Sequence, residues 1–315
     1  MSCNDEPSRA GAAFRTGAAF RAGEGIRSKD SAVASQRDIR RRIGAVRNIK
    51  QITRAMQFVA ASKLRRAQDA TLAARPYSEK IDEVLADLAA VLSGEDHPLL
   101  TKRETGKRLL VLITTDRGLA GPLNTNTVRF AAREITEHQG DLAMVTVGRK
   151  GRDAMRRARV PMEAHFAGFG DKPTFADVLP LARLITEDYL SGDYARIDLV
   201  YSRFISTLAQ KPVMEQLLPV EPAEDTEGIP GNQFIFEPSP SAVLQQLVPR
   251  YVATRIFQAV LEAKASEESS RMVAMKNATE NAEELIDDLT LSYNKVRQAN
   301  ITREMIEIAT GARAR

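Results

Sequence analysis

Histidines, a lone cysteine and one glycine-bearing turn are the residues from which this chain could build chemistry. His97, His138 and His165 stand far apart, without the close spacing that brings ligands around a metal. Cys3 is the only cysteine, which excludes an intrachain disulfide and a thiolate cluster. No serine sits in a G-x-S-x-G elbow, so Ser/His/Asp catalysis has no local signature. The turn TTDRGLAGPLNTN (Thr114–Asn126) follows an apolar run and precedes a helical pattern. Phosphate-binding loops occupy such places. It nevertheless holds neither G-x-G-x-x-G nor G-x-x-x-x-G-K-[ST], and it reads as a structural turn. The sequence thus offers no catalytic, cofactor-binding or metal-binding set.

A stronger signal lies upstream. Arg37–Arg66 reads RDIRRRIGAVRNIKQITRAMQFVAASKLRR, with Asp38 the only acid among its cations. A solvated helix face is one reading. Nucleic acid is a second, weakened because Phe58 is the only aromatic interleaved and no groove-reading motif accompanies the charge. A surface that meets an acidic protein partner is the third. The net charge of +4 over 315 residues implies no particular polyanion.

Positioning these residues requires long elements. Ser35 is the expected N-cap, with Asp38 three positions on. Ile39, Ile43, Val46, Ile49, Ile52, Met56, Val59 and Leu64 then recur every three to five residues, one stripe of a helix. From Ser35 to Arg75 this helix would run roughly 60 Å, with a kink expected at Pro76. A second helical pattern starts near Val243 and reaches about Thr310, through Leu244, Leu247, Val260, Met275, Leu289 and Ile308. Two striped helices at opposite ends of a chain satisfy each other by pairing, which predicts an antiparallel coiled coil. Hydrophobic residues make up 43 % of the chain and aromatics 5 %, with no Trp, as suits aliphatic helix packing.

Between the helices the period changes. KRLLVLITTD (Lys107–Asp116), DLAMVTVG (Asp141–Gly148) and ARIDLVYSRFI (Ala195–Ile205) read as buried strands, KPVMEQLLPV as an edge strand. LNTNTVRFAAREITEH, RKGRDAMRRA and FADVLPLARLITEDYLSG read as helices between them. Alternation of this kind predicts an α/β domain with a mostly parallel sheet. The expected division is a disordered extension over 1–34, a long helix over 35–93, the Rossmann-like α/β domain over 94–241 and a second long helix over 242–315. The extension repeats GAAFR twice. Its Arg and Ala content allows a transit peptide, which Asp5, Glu6, Glu24 and Asp30 oppose; a later translation start near Val33 is the other reading. The longest apolar runs are too short to cross a bilayer. The polar stretches ASEESSRMVAMKNATENAEELIDDL and YNKVRQANITREMIEIATGA suit either a solvated helix or a rod inside a sleeve.

Five segments carry a family resemblance: RDIRRRIGAVRNIKQITRAMQFVAASKLRRAQ, ARPYSE, TTDRGLAGPLNTN, RMVAMKNATENAEELI and YNKVRQANITREMIEIATGA. Together they resemble the gamma subunits of F-type ATP synthases over about Ser35 to Ala312. The resemblance implies a coiled coil of both termini with an inserted Rossmann-like domain that binds no nucleotide. It also implies a rotary shaft without a catalytic site or cofactor of its own. The partners implied are an alpha/beta hexamer around the coil, an epsilon subunit and the membrane c-ring at the foot, with no nucleic acid and no membrane insertion. The location implied is the cytoplasmic face of a bacterial inner membrane, or alternatively an organelle inner membrane. By motif position, Met56, Glu267 and Arg271 would lie near the acidic beta lever. Arg297, Gln298 and Thr302 would hydrogen-bond a beta catch loop.

There are departures from the family pattern. Gly118-Leu119-Ala120-Gly121-Pro122-Leu123-Asn124 replaces the common LCGGLN, and the dithiol insert of plastid relatives is missing. Residues 1–34 have no counterpart and would add bulk at the Ser35 end, expected near the foot. A nucleotide-dependent enzyme and a basic nucleic-acid-binding protein remain the competing functions.

Overall fold

A computed structural model describes residues 35–92, 97–138, 140–167, 169–221 and 236–313. The expected extension, the linker from 93 to 96 and most of the Pro/Gly-rich stretch from 222 to 235 fall outside the described residues.

Helix α1 runs from Gln36 to Leu92 and helix α5 from Pro240 to Arg313. Both contain a proline, Pro76 and Pro249, and both continue through it as one helix. The helical pattern expected to continue past Pro76 does so within one element. At 1.5 Å per residue the two helices span about 85 Å and about 110 Å.

The helices pair antiparallel. Gln36 donates to the Tyr293 hydroxyl, Lys50 meets Glu283, Thr53 meets Thr279, and Ser78 donates to Gln258. The seam differs from the apolar stripe read in the sequence. On α1 the residues that turn inward are Ile39, Ile43, Val46, Lys50, Thr53, Gln57, Ala60 and Leu64, and the same three-four rhythm continues through Ser78, Ile81, Leu85 and Leu88. That rhythm is a heptad repeat. Ile49, Ile52 and Val59 stand one residue off it and are more than half exposed, at 52 %, 59 % and 55 %. On α5 the matching seam is Met275, Thr279, Ala282, Ile286, Leu289, Tyr293, Val296 and Asn300.

The insert is a five-stranded sheet of order β3-β2-β1-β4-β5. Its strands are β1 (Lys107–Ile113), β2 (Leu142–Val147), β3 (Met162–Phe166), β4 (Tyr194–Phe204) and β5 (Gln210–Leu218). Strands β1 to β4 pair in parallel, and β5 closes one edge antiparallel to β4. Strand β3 escapes sequence reading because MEAHF is short and half-buried, with no run of apolar residues. Helices α2 (Leu123–Glu137) and α3 (Arg149–Arg157) cover one face through Ala131 and Met155. Helix α4 (Phe175–Ser191), α5 and the end of α1 cover the other; there Ile81, Leu85 and Leu88 join one core with β1, β4, α4 and the start of α5.

Ser35 thus lies at the tip of the rod opposite the α/β domain, since Gln36 pairs with Tyr293 while Leu88 belongs to the domain core. The antiparallel pairing carries α1 toward the domain and starts it at the end remote from the domain.

The seam assignment makes a direct prediction. Leu64→Ala should cost the isolated chain about 2–4 kcal/mol by urea unfolding, and Ile52→Ala less than about 0.5 kcal/mol. A larger loss from Ile52→Ala than from Leu64→Ala would place the seam on the wrong stripe.

Candidate functional site

Along one stretch of the rod, α1 exposes mostly cations and α5 a cluster of acids. Arg37, Arg40, Arg41, Arg42, Arg47 and Arg54 are exposed on α1. At the same height α5 exposes Glu280, Glu283, Glu284, Asp287 and Asp288. Lys50–Glu283 at 2.7 Å ties the two sides together. A cross-section here is therefore cationic on one side and anionic on the other, with Ile49 and Ile52 bared on α1. Beyond Tyr293, which Gln36 meets, α5 continues for about 30 Å to Arg313. Ile301, Met305, Ile306 and Ile308 are all exposed on it, Ile308 at 72 %.

Where the rod meets the α/β domain, α5 is enclosed on all sides. Every residue from Ala265 to Arg271 is buried. The Ser266 hydroxyl donates to the Ser202 carbonyl, Ser269 to the Thr207 carbonyl and Ser270 to the Ala120 carbonyl. Short serine side chains let loop backbone approach and supply the donors that backbone carbonyls require. The sleeve around this polar stretch is thus the chain's own domain.

Charged groups complete the joint. Lys63 of α1 holds Asp171 at 2.6 Å, and Lys264 of α5 reaches the same carboxylate at 3.6 Å and Glu267 at 2.9 Å. Arg271 pairs with Glu267 at 2.6 Å and Glu268 at 2.8 Å. Asp171 lies on the loop between β3 and α4, so one carboxylate links both rod helices to the domain. The hydrogen bond from Lys63 holds its carboxyl below the usual aspartate value, with help from the charges of Lys63, Lys264 and Arg117. No spacing in the sequence signals this network, since its members come from three separate segments.

The residues singled out by motif separate into two groups. Met56 is half-buried and lines one groove with Arg271, Arg117 and Leu119. Glu267 and Arg271 are 6 % and 9 % exposed and bind each other within the collar. Arg297, Gln298 and Thr302 are exposed on the outer end of α5, and the Thr302 hydroxyl donates to the Gln298 carbonyl. The groups stand about 40 Å apart along α5.

The turn before α3 can be compared with a phosphate-binding loop. Gly148 has φ +94, and a Cβ there would meet the Thr114 carbonyl at 2.2 Å. The amides that open α3 are all taken by the chain itself: Arg149 N–H by the Asp116 carboxylate, Lys150 N–H by the Thr115 carbonyl, Gly151 N–H by the Thr114 hydroxyl. A pyrophosphate finds no donors at this helix end.

Comparison with known proteins matches this architecture. A family profile described as ATP synthase covers residues 35–314. The ATP synthase gamma chain of Dehalococcoides mccartyi (strain BAV1) is 50 % identical over 284 residues, 90 % of this chain and 99 % of that one. The chain belongs to the ATP synthase gamma-chain family. The gamma chain of Pelotomaculum thermopropionicum is 46 % identical over 89 % of this chain and 99 % of its own. Among solved structures, Euglena gracilis mitochondrial ATP synthase in rotational state 3 aligns with a TM-score of 0.63 at 20 % identity, covering 89 % of this chain and 94 % of that chain. Its rotor in rotational state 1 gives 0.61 at 20 % identity, over 84 % of this chain and 98 % of that one. The likeness to these two is one of fold. No helix among the described residues is long and apolar enough to cross a membrane.

The joint predicts a pH-dependent contribution. Because the native carboxyl of Asp171 titrates below its unfolded value, its stabilisation is present above the ordinary aspartate range and is lost as pH falls through the native value. Asp171→Asn should lower the midpoint of thermal unfolding at pH 7 by about 1–3 °C, a modest figure because the pair is partly solvated. The gap from wild type should close under acid; a gap that widens there removes the ion pair as its cause.

Proposed function

We propose that this chain is the central rotating shaft of an ATP synthase, transmitting torque from a membrane c-ring to catalytic beta subunits within an alpha/beta hexamer. The observation that carries the reading is the lopsided rod: cations and bare isoleucines on α1, a cluster of acids on α5, and an outer end of α5 with exposed apolar residues. A partner that encircles such a rod meets a different surface at each angle. Only a difference in contact free energy between states shifts a conformational equilibrium, and the opposed charges supply that difference. The apolar tip fits a greasy bearing that closes around it.

The α/β domain, at the other end, is the foot in this reading, with the epsilon subunit and c-ring as its neighbours. ATP chemistry belongs to the beta subunits, and this chain contributes neither catalytic site nor cofactor. The complex lies on the cytoplasmic face of a bacterial inner membrane, with this chain peripheral. Met56, with its neighbours Ile52 and Val59, offers the contact to the acidic beta lever. Glu267 and Arg271 act from inside the collar, holding the loop of Gly118 and Leu119 against that contact; Arg271 reaches the Gly118 carbonyl at 3.4 Å. Arg297, Gln298 and Thr302 meet the beta catch loop from the outer end of α5.

Affinity purification of the tagged chain from native membranes should recover a magnesium-dependent ATPase with alpha, beta and epsilon subunits; recovery of the chain alone defeats the reading. In the assembled enzyme, Met56→Lys should lower proton pumping per ATP hydrolysed several-fold, because an added cation would over-tighten one rotor angle against the acidic lever. Normal pumping relative to hydrolysis in that variant would remove Met56 from the coupling surface.

A further inference from the structure

We infer that an acidic stripe of α5 is a docking surface for the chain's own N-terminal segment, residues 1–34, which seats the arginines and phenylalanines of its repeated GAAFR there. This goes beyond the shaft reading and does not rest on it.

Glu280, Glu284, Asp287, Asp288 and Leu291 are all exposed, and steps of three, four or their sums put them on one face of the helix. The seam residues Ala282, Ile286, Leu289 and Tyr293 lie on the opposite face, so the stripe looks away from α1. Among the described residues Glu284, Asp287 and Asp288 have no ion pair, and Glu280 meets only Lys276, at 3.8 Å with both side chains largely exposed. Like charges three and four positions apart repel along a helix. Leu291 stands 61 % exposed among them. The stripe lacks cations and a cover for its leucine.

The N-terminal segment supplies both. Between Pro7 and Gly23 it carries Arg9, Arg15 and Arg21 and no acid. Each GAAFR sets a phenylalanine before its arginine, Phe14-Arg15 and Phe20-Arg21. Six residues of extended chain cover about 20 Å, and the stripe from Glu280 to Leu291 is about 17 Å long, so the two repeats match it. Guanidinium forks pair with carboxylates through two parallel hydrogen bonds, and the rings give the apolar cover.

The attachment point brings segment and stripe together. Gln36 donates to the Tyr293 hydroxyl, so the segment leaves the rod at the Leu291 end of the stripe. Arg37, Arg40, Arg41 and Arg42 are exposed there on α1; they repel the segment's arginines and leave α5 as the side where these settle. Arg21 and Arg15 precede Ser35 by 14 and 20 residues, which a flexible Gly-rich chain spans in roughly 20 and 25 Å. The path around one helix diameter, about 10–12 Å, and along the stripe is of that size. A tether that matches its span gives an effective concentration on the order of millimolar. A contact too weak to hold separate molecules is then populated within one. The docked segment shields the acids of α5, and a partner that encloses the rod must displace it.

The chain has no tryptophan, so Phe20→Trp places a unique probe in the full-length protein. Acrylamide should quench it about threefold or more slowly than free N-acetyltryptophanamide. Sodium chloride at about 0.5 M, which screens exposed pairs, should abolish the protection. So should Arg15→Gln with Arg21→Gln, and Glu284→Gln with Asp287→Asn and Asp288→Asn. Circular dichroism confirms folding, and the arginine variant leaves the rod untouched should the α5 variant unfold. Protection unchanged on dilution marks a contact within one chain. Quenching as fast as that of the free compound overturns the inference, as does protection that survives either charge variant. Protection lost on dilution overturns it too, by assigning the contact to a second copy.

Discussion

The whole molecule depends on the seam between α1 and α5. Helices of such length are not held by local propensity; a helix within a protein draws most of its stability from the face it buries. Here that face is poor in hydrocarbon over its middle, between Val46 and Ala60. Lys50, Thr53 and Gln57 occupy heptad positions that a permanent coiled coil would fill with Leu or Ile, and Thr53 meets Thr279 across the seam at 2.8 Å. Polar seam residues fix register at a cost in stability. The register matters because it sets which cations of α1 stand beside which acids of α5. Near the domain the seam turns apolar, with Ile81, Leu85 and Leu88 merging into the sheet core. The rod is thus anchored by hydrocarbon at the domain and again at Ile39 and Ile43, and its register is set at the polar stretch between them.

The collar around Ala265–Arg271 solves a mechanical problem that follows from this anchoring. A knob attached to a rod only through one greasy face can slip along it, since apolar contact has no preferred direction. Serine hydroxyls aimed at the carbonyls of Ser202, Thr207 and Ala120 are directional. The buried Glu267–Arg271 pair is a poor source of net stability, because desolvation offsets most of its attraction. It is a good source of geometry, because breaking either partner leaves a buried charge. Rod and domain are joined where position counts more than strength.

Much of this was legible in the sequence, for identifiable reasons. The long helices, the α/β alternation and the edge position of β5 follow from periods and lengths. The seam did not, because Ile49, Ile52 and Val59 are as apolar as seam residues and lie one position away. Hydrophobicity alone cannot tell a side chain buried within the chain from one bared for a partner. Strand β3 was missed for want of an apolar run. Of the candidate site residues, the motif located Met56 and Arg271 in one groove. It did not show that Glu267 and Arg271 face inward, since a polar run such as SEESSR looks identical in water and in a polar collar. The network of Lys63, Asp171 and Lys264 joins three segments and has no linear signature.

The displaced stripe also bears on how the rod could act. Were Ile49, Ile52 and Val59 in the seam, α1 would present mostly cations outward over Arg37–Arg54, and a surrounding partner would feel a nearly uniform positive face there. Their displacement puts greasy patches among the cations and leaves acids across the axis. Long-range charge attraction varies smoothly with angle, over roughly the 8–10 Å of the Debye length in physiological salt. Apolar contact varies sharply, because it needs touching surfaces. Superposed on one rod, the two give a broad preference for an orientation and a narrow minimum within it. A shaft that must advance in steps needs both: a slope that draws it toward the next position and a contact shallow enough to release it.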